Sequence, residues 1–178
     1  MIVKTVSDSN NFVHLEEMIE QFLFYFGQDS PFSHWFKCKF TIDQQEFCCV
    51  EQYLMYKKAL LFKDAEAAKK ILRSSDPKRH RYIGKQVAGF DKLIWQRECK
   101  KYAFEANLAK FTQNISLMKM LKDTEGKSLA EASPYDRNWG IGLSVQNPKI
   151  YDRKKWRGKN WAGEVLEEVR SSIVKTTK

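Results

Sequence analysis

Glu51 and Lys58 stand seven residues apart in "EQYLMYKKALLF", a stretch with helical apolar spacing. Seven helical steps return to within roughly 20° of the starting direction, so both side chains project from one face. Leu54, Met55, Leu61 and Phe62 continue that face, which predicts partial burial. A carboxylate and an amine on an apolar face are costly unless they pair or work. Desolvation moves the lysine towards a nucleophilic amine and the glutamate towards a usable general acid. The structural alternative is an ion pair or two snorkelling side chains.

A second constellation is "EASPYDRNWGIG", where Asp136 and Trp139 flank a turn and Gly140 and Gly142 relax the backbone after it. An indole beside a carboxylate suits a planar ring that must be stacked and hydrogen-bonded. The structural alternative is an Asx-turn capped by a core tryptophan, with Glu131 only ordering the loop. A third is "KKWRGKNWAG", with Trp156, Arg157, Lys159, Asn160 and Gly163. Basic groups interleaved with indoles suit phosphate contact and base stacking, and the glycines let backbone amides approach an anion. Its alternative is an ordinary helix start with a solvated basic face.

Other chemistries lack their signatures. "GKQVAG" does not have Walker or Rossmann spacing, and there is no GxSxG elbow. Cys38, Cys48, Cys49 and Cys99 form no CxxC, and His14, His34 and His80 are scattered, so no metal site is expected. Unpaired cysteines and the lack of a secretory signal or membrane-length apolar run point to an intracellular, cytoplasmic protein. "DRKKWRGK" also reads as a nuclear address. With 31 basic against 22 acidic residues the net charge is +9, which favours polyanionic partners.

The elements that must position these groups are mostly helical. The 178 residues fit one domain, with 43% apolar residues to fill a core. "HLEEMIEQFLFYF" has Leu15, Met18, Ile19 and Phe22 at helical spacing, and "FKCKFTIDQQEFCCV" alternates around "DQQ" as a short hairpin. Helices follow from Glu51 and from Asp64 as N-cap, with "PKRHRYIGKQVAGF" as a connection. The longest helical signal, "FDKLIWQRECKKYAFEANLAKFTQN", places Leu93, Ile94, Arg97, Tyr102 and Leu108 near one stripe. "ISLMKMLKDT" and a terminal "GEVLEEVRSSIVK" complete a mainly α chain with a few short strands.

The order of blocks then carries a resemblance. "SPFSHWF", "VEQYLMYKKALLFKD", "YIGKQV", "FDKLIW", "KFTQNISLMKMLKDT", "LAEASPYDRNWGIG" and "WRGKNWAGEVLEEVR" make the chain similar to the NADAR family over roughly residues 24–170. The resemblance implies a single YbiA-like helical domain, residues 1–178, and N-glycosidase chemistry on ribosylated amines. It maps catalytic roles onto Glu51, Lys58 and Asp136. Binding roles fall on Phe32, Ser33, Gly84, Lys85, Trp95, Trp139, Gly140, Trp156, Asn160 and Gly163. Two positions depart from the family pattern: Lys85 stands in place of arginine, and His34 in place of asparagine.

The implied reaction is hydrolysis between a ribose C1 and an amine, without metal or redox cofactor. Either Glu51 and Asp136 act as a carboxyl pair on water and leaving group, or Lys58 attacks C1 of the opened sugar as a Schiff base. The apolar helix face favours the lysine route. Trp95 and Trp139 would stack on a base, with Lys85, Arg157 and Lys159 on phosphates. The basic balance favours ADP-ribosylated guanine in nucleic acid or as nucleotide. A ribosylamine phosphate of riboflavin synthesis and a non-catalytic module binding ADP-ribose or nucleic acid are the alternatives. No membrane partner is expected, and oligomeric state is not legible.

Overall fold

The computed structural model describes residues 20–176. Strand β1 (Phe22–Tyr25) pairs in parallel with β4 (Ser128–Glu131), with Tyr25 opposite Glu131. Strands β2 (Phe40–Ile42) and β3 (Gln45–Phe47) form the expected hairpin. Its turn residues Asp43 and Gln44 both have positive φ, 50° and 63°, the geometry that matches hairpin twist. Phe22 therefore lies in a strand rather than the helix its spacing suggests, while Leu15, Met18 and Ile19 fall outside the described residues.

The described residues also form six α-helices: α1 (Val50–Leu61), α2 (Ala65–Leu72), α3 (Pro77–Lys85), α4 (Lys92–Thr112), α5 (Ile115–Lys122) and α6 (Trp161–Thr176). Short polar side chains start several of them. Asp64 accepts from Ala67 N, Asp76 from Lys78 N ahead of Pro77, and Asp91 from Leu93 N and Ile94 N. The segment 77–85 is thus a helix, not a connection. Asp76-Pro77 ends the preceding helix and starts the next, a double role that reading it only as a breaker misses.

Helix α4 packs on α1 and α6. Its buried face runs through Cys99, Ala103, Ala106 and Phe111, so the expected stripe is displaced. Leu93 and Ile94 are exposed, because close helix crossing selects alanine and leaves larger groups on the flanks. Around this crossing Phe40, Phe47, Leu54, Leu129, Val165 and Leu166 form the main core. A smaller apolar cluster of Ala59, Ala68, Ile71 and Ile83 ties α1 to α2 and α3. These contacts fix the start of α1 and the body of α3 beside the end of β4.

Candidate active site

Three elements bring acidic groups together. Glu51 comes from the first turn of α1, where its backbone N–H donates to His34 O at 2.9 Å. Glu131 ends β4, and Asp136 lies in the loop after it. Arg81 reaches from α3 to Asp136 Oδ2 at 3.4 Å. Asp136 Oδ1 meanwhile accepts from Asn138 N and Trp139 N, both at 2.9 Å. The loop is therefore an Asx-turn with one carboxylate oxygen left for the arginine.

A cleft of about 430 Å³ opens over this group, lined by Ser33, Trp35, Lys78, Arg81, Glu131 and Asp136 among others. Exposed Phe26 and Tyr135 form its aromatic rim. Glu51 is buried behind the cleft at 5% exposure, hydrogen-bonded to the Trp35 side chain. Burial pushes the Glu51 carboxyl up to about 7, against the pull of Arg81 and with a further upward push from Asp136. Glu131 is also pushed up to about 7, by burial first and then by Asp136 and Glu51. Two carboxyls poised near neutrality beside a third and one arginine form a proton-exchanging site.

The backbone that holds Glu131 is itself braced. The open edge of β4 is satisfied by side chains: Leu129 N donates to Glu167 and Glu131 N to Asn160 Oδ1 at 3.0 Å. Asn160 Nδ2 returns a bond to Leu129 O at 2.8 Å. Asn160 sits at φ 58°, a left-handed conformation that asparagine tolerates well. Gly163 lets α6 close on this strand, since a Cβ there would stand 2.0 Å from Leu129 O. Gly140 packs similarly against Glu131 O and Ser133.

Lys58 is buried, but its ammonium donates to Gly84 O at 2.7 Å and stands 3.9 Å from the Phe90 ring centre, with Trp95 beyond at 5.7 Å. Burial lowers its pKa. It lies in an aromatic box next to the carboxyl cleft rather than on the cleft wall. Gly84 serves close packing, because a Cβ would meet Met55 Sδ at 2.0 Å.

The remaining expected binding residues divide clearly. Ser33 lines the cleft, whereas Phe32 is packed in the core against Tyr25 and Phe111. Trp139 is half-buried between His34 and Trp161, so its ring already has protein on two sides. Trp156 donates to Ile150 O and packs on Phe22, away from the carboxyls. Lys85 is exposed at the end of α3, and Arg157 and Lys159 are exposed in the loop before α6. None of these three lines the cleft, where Lys78 and Arg81 supply the positive charge. Asn160 and Gly163 position Glu131 from behind.

His34 is buried and neutral, its pKa driven down to about 3 by burial and by Lys110. Its Nε2 lies 3.3 Å from Asn107 Nδ2, an amide donor, so Nε2 is the accepting nitrogen. The polar contact from the aromatic loop is thus directed into the core. Arg81, Trp35, Lys78, Tyr135 and the place of Glu131 in the cleft escape local spacing, since they come together from separate segments of the chain. The one available signal is "EASPYD", two acids flanking a tight turn.

A NADAR domain family model matches residues 23–174, most of the chain. The chain belongs to the NADAR family. This NADAR domain is 41% identical over 144 residues to N-glycosidase R617 of Acanthamoeba polyphaga mimivirus, covering 78% of the chain and 85% of that protein. It is 39% identical to Protein irg-1 of Caenorhabditis elegans, over 72% of the chain and less than two thirds, 61%, of that protein. A more distant relative is the chloroplastic riboflavin biosynthesis protein PYRR of Zea mays, 29% identical over 62% of the chain and 17% of that protein. The fold matches the NMR structure of Escherichia coli YbiA with a TM-score of 0.74 at 22% identity, over 90% of this chain and 89% of that one.

Proposed function

We propose that this NADAR domain is an N-glycosidase that hydrolyses the bond between a ribose C1 and an amine. The observation that carries the reading is the cleft lined by Glu131, Asp136 and Arg81, with Glu51 buried behind it and both glutamates pushed up to about 7. The name of the mimivirus relative supports the same reaction class.

Breaking the C1–N bond needs a proton on the leaving amine and stabilisation of an oxocarbenium-like carbon. Near neutral pH Glu51 and Glu131 retain a proton to give, because burial first and neighbouring carboxylates after it hold both carboxyls up at about 7. That proton passes to the amine as the C1–N bond breaks. Water then attacks C1, and its proton returns to the carboxylate left behind. Asp136, fixed by two backbone N–H groups and Arg81, faces the positive charge that develops on the sugar.

For the substrate, the reading is ADP-ribosylated guanine, in nucleic acid or as a nucleotide. Lys78 and Arg81 suit a diphosphate, while the rings of Trp35, Tyr135 and Phe26 suit bases. The volume of about 430 Å³ lies in the range of pockets that enclose nucleotide-sized ligands. The second reading, a ribosylamine phosphate, draws on the distant maize riboflavin-synthesis relative.

A single panel separates them: the protein is incubated with an ADP-ribosyl-guanine oligonucleotide, an ADP-ribosyl-guanine nucleotide and a ribosylamine phosphate. Sugar release from an ADP-ribosylated substrate, lost in Glu51→Gln, supports the reading. Turnover of the ribosylamine alone transfers it to the second substrate. Tight ADP-ribose binding without turnover makes the domain a binding module. Borohydride added during turnover tests Lys58, whose desolvated amine favours a Schiff-base route: a trapped sugar on Lys58, with Lys58→Ala inactive, would move the chemistry to that lysine.

A further inference from the structure

Among the described residues, three of the cysteines and histidines that look scattered in sequence come together. Cys48 and Cys49 precede α1, and His80 lies in α3. Their ligand atoms all fall within 4.8 Å of one another. The two sulfurs are 4.0 Å apart, and Cys49 Sγ is 3.6 Å from His80 Nδ1. Around a tetrahedral zinc, with bonds of about 2.3 Å to sulfur and about 2.0–2.1 Å to nitrogen, sulfurs stand roughly 3.8 Å apart and sulfur and nitrogen roughly 3.6 Å. The Cys48–Cys49 and Cys49–His80 spacings match these to within a few tenths of an ångström, and the Cys48 sulfur stands within 4.8 Å of His80.

The ring orientation is already set for ligation. His80 Nε2 lies 2.8 Å from Ser74 O, and a carbonyl can only accept, so Nε2 carries the proton. Nδ1 is then unprotonated and turned towards the Cys49 sulfur. A ligating histidine ordinarily gives its other N–H to a carbonyl or carboxylate in this way. Gln52 builds the rest of the support: its Oε1 accepts from Cys48 N at 2.8 Å, and its Nε2 donates to Ile71 O and to Ser74 O. Ser74 O thus ties the histidine and the cysteine backbone to one anchor.

Cys49 and His80 are buried, and Cys48 is half-exposed, which supplies both a dry donor set and an approach from solvent. Lys37 and Glu46 flank Cys48 with opposite charges. Two soft thiolates and one imidazole select a thiophilic d10 ion over magnesium or calcium. Three protein ligands leave a fourth position open.

We propose that Cys48, Cys49 and His80 form a binding site for a thiophilic metal ion of the zinc class. The site clamps the start of α1 to α3. Cys49 lies two residues before Glu51, and His80 immediately before Arg81, so occupancy fixes the two helices that carry an acid and the arginine of the carboxyl cleft. The inference stands on the cysteine–histidine geometry and does not depend on the reaction assigned to that cleft.

The test uses reduced, metal-free full-length protein titrated with Zn²⁺ against a chromogenic chelator, and with Co²⁺ by absorption. One equivalent of Zn²⁺ is expected to bind and to raise Tm. Cobalt should give a thiolate charge-transfer band with intense tetrahedral ligand-field bands. Cys48→Ala should lower zinc affinity at least tenfold and abolish the charge-transfer band and the Tm shift. Its half-exposed position makes folding tolerant of the change, which keeps the test decisive even where a variant of buried His80 fails to fold. Cys38→Ser and Cys99→Ser should bind as the wild type does. Absence of stoichiometric binding, or binding and cobalt spectra unchanged in Cys48→Ala, would overturn the site.

Discussion

Glu51 and Glu131 carry two consequences of one cause. Each is pushed up from an ordinary 4.5 to about 7, chiefly by burial. In the folded state they retain protons that an unfolded chain releases, so their contribution to stability is fully present below the ordinary value and is lost as pH rises through about 7. Glu51→Gln removes the ionisable group and should raise Tm relative to wild type at pH 8 but not at pH 4, with a gain on the order of 2 kcal/mol. Thermal melts of the two proteins across that range check it, and parallel melting curves at every pH would refute it. His34 runs the other way: its depressed pKa means stability is present above about 6.5 and lost as pH falls towards 3. At this scale Glu51 was legible because its burial follows from helical spacing alone. Glu131 was not, since its surroundings come from α1, α3 and a strand paired with residues over a hundred positions away.

Helices and the hairpin were legible where their signals are local: Asp64 as a cap, "DQQ" as a turn, alternation in β2 and β3. The pairing of β1 with β4 is long-range and parallel, and no nearby residue announces it. Helix α3 was missed because a proline was read as an end when it was also a beginning. "GKNWAG" reads in sequence as a phosphate-contacting, base-stacking segment or an ordinary helix start, whereas its Asn160 and Gly163 brace β4. Gly163→Ala places a methyl against Leu129 O and should destabilise by about 2 kcal/mol or more. Gly126→Ala meets no neighbour and costs only the positive-φ strain of about 1 kcal/mol. Chemical denaturation of both separates crowding from backbone strain. Asn160→Ala breaks the bonds to Leu129 O and Glu131 N and should cost about 2–3 kcal/mol. It should also lower kcat more than it raises KM, because it releases Glu131 rather than a ligand contact; steady-state kinetics on the folded variant distinguish the two.

Over the whole molecule the fold class was readable from apolar periodicity and the family from the order of blocks, whereas the cleft needed three dimensions. The net charge of +9 makes a prediction that belongs to the full surface. With an oligonucleotide substrate KM should rise steeply with salt, and with the matching nucleotide it should barely change, because only the polymer releases many condensed counterions. Equal salt dependence for both would remove nucleic acid from the account. The central claim is that the carboxyl cleft carries the hydrolysis, and it is tested most directly by single-turnover release of ADP-ribose from ADP-ribosylated guanine across pH. The rate should fall above about pH 7 as the two buried glutamates lose their protons, and Glu51→Gln and Glu131→Gln, both folded, should each lose about 100-fold or more. A wild-type rate and an unaltered pH profile in both variants would contradict it.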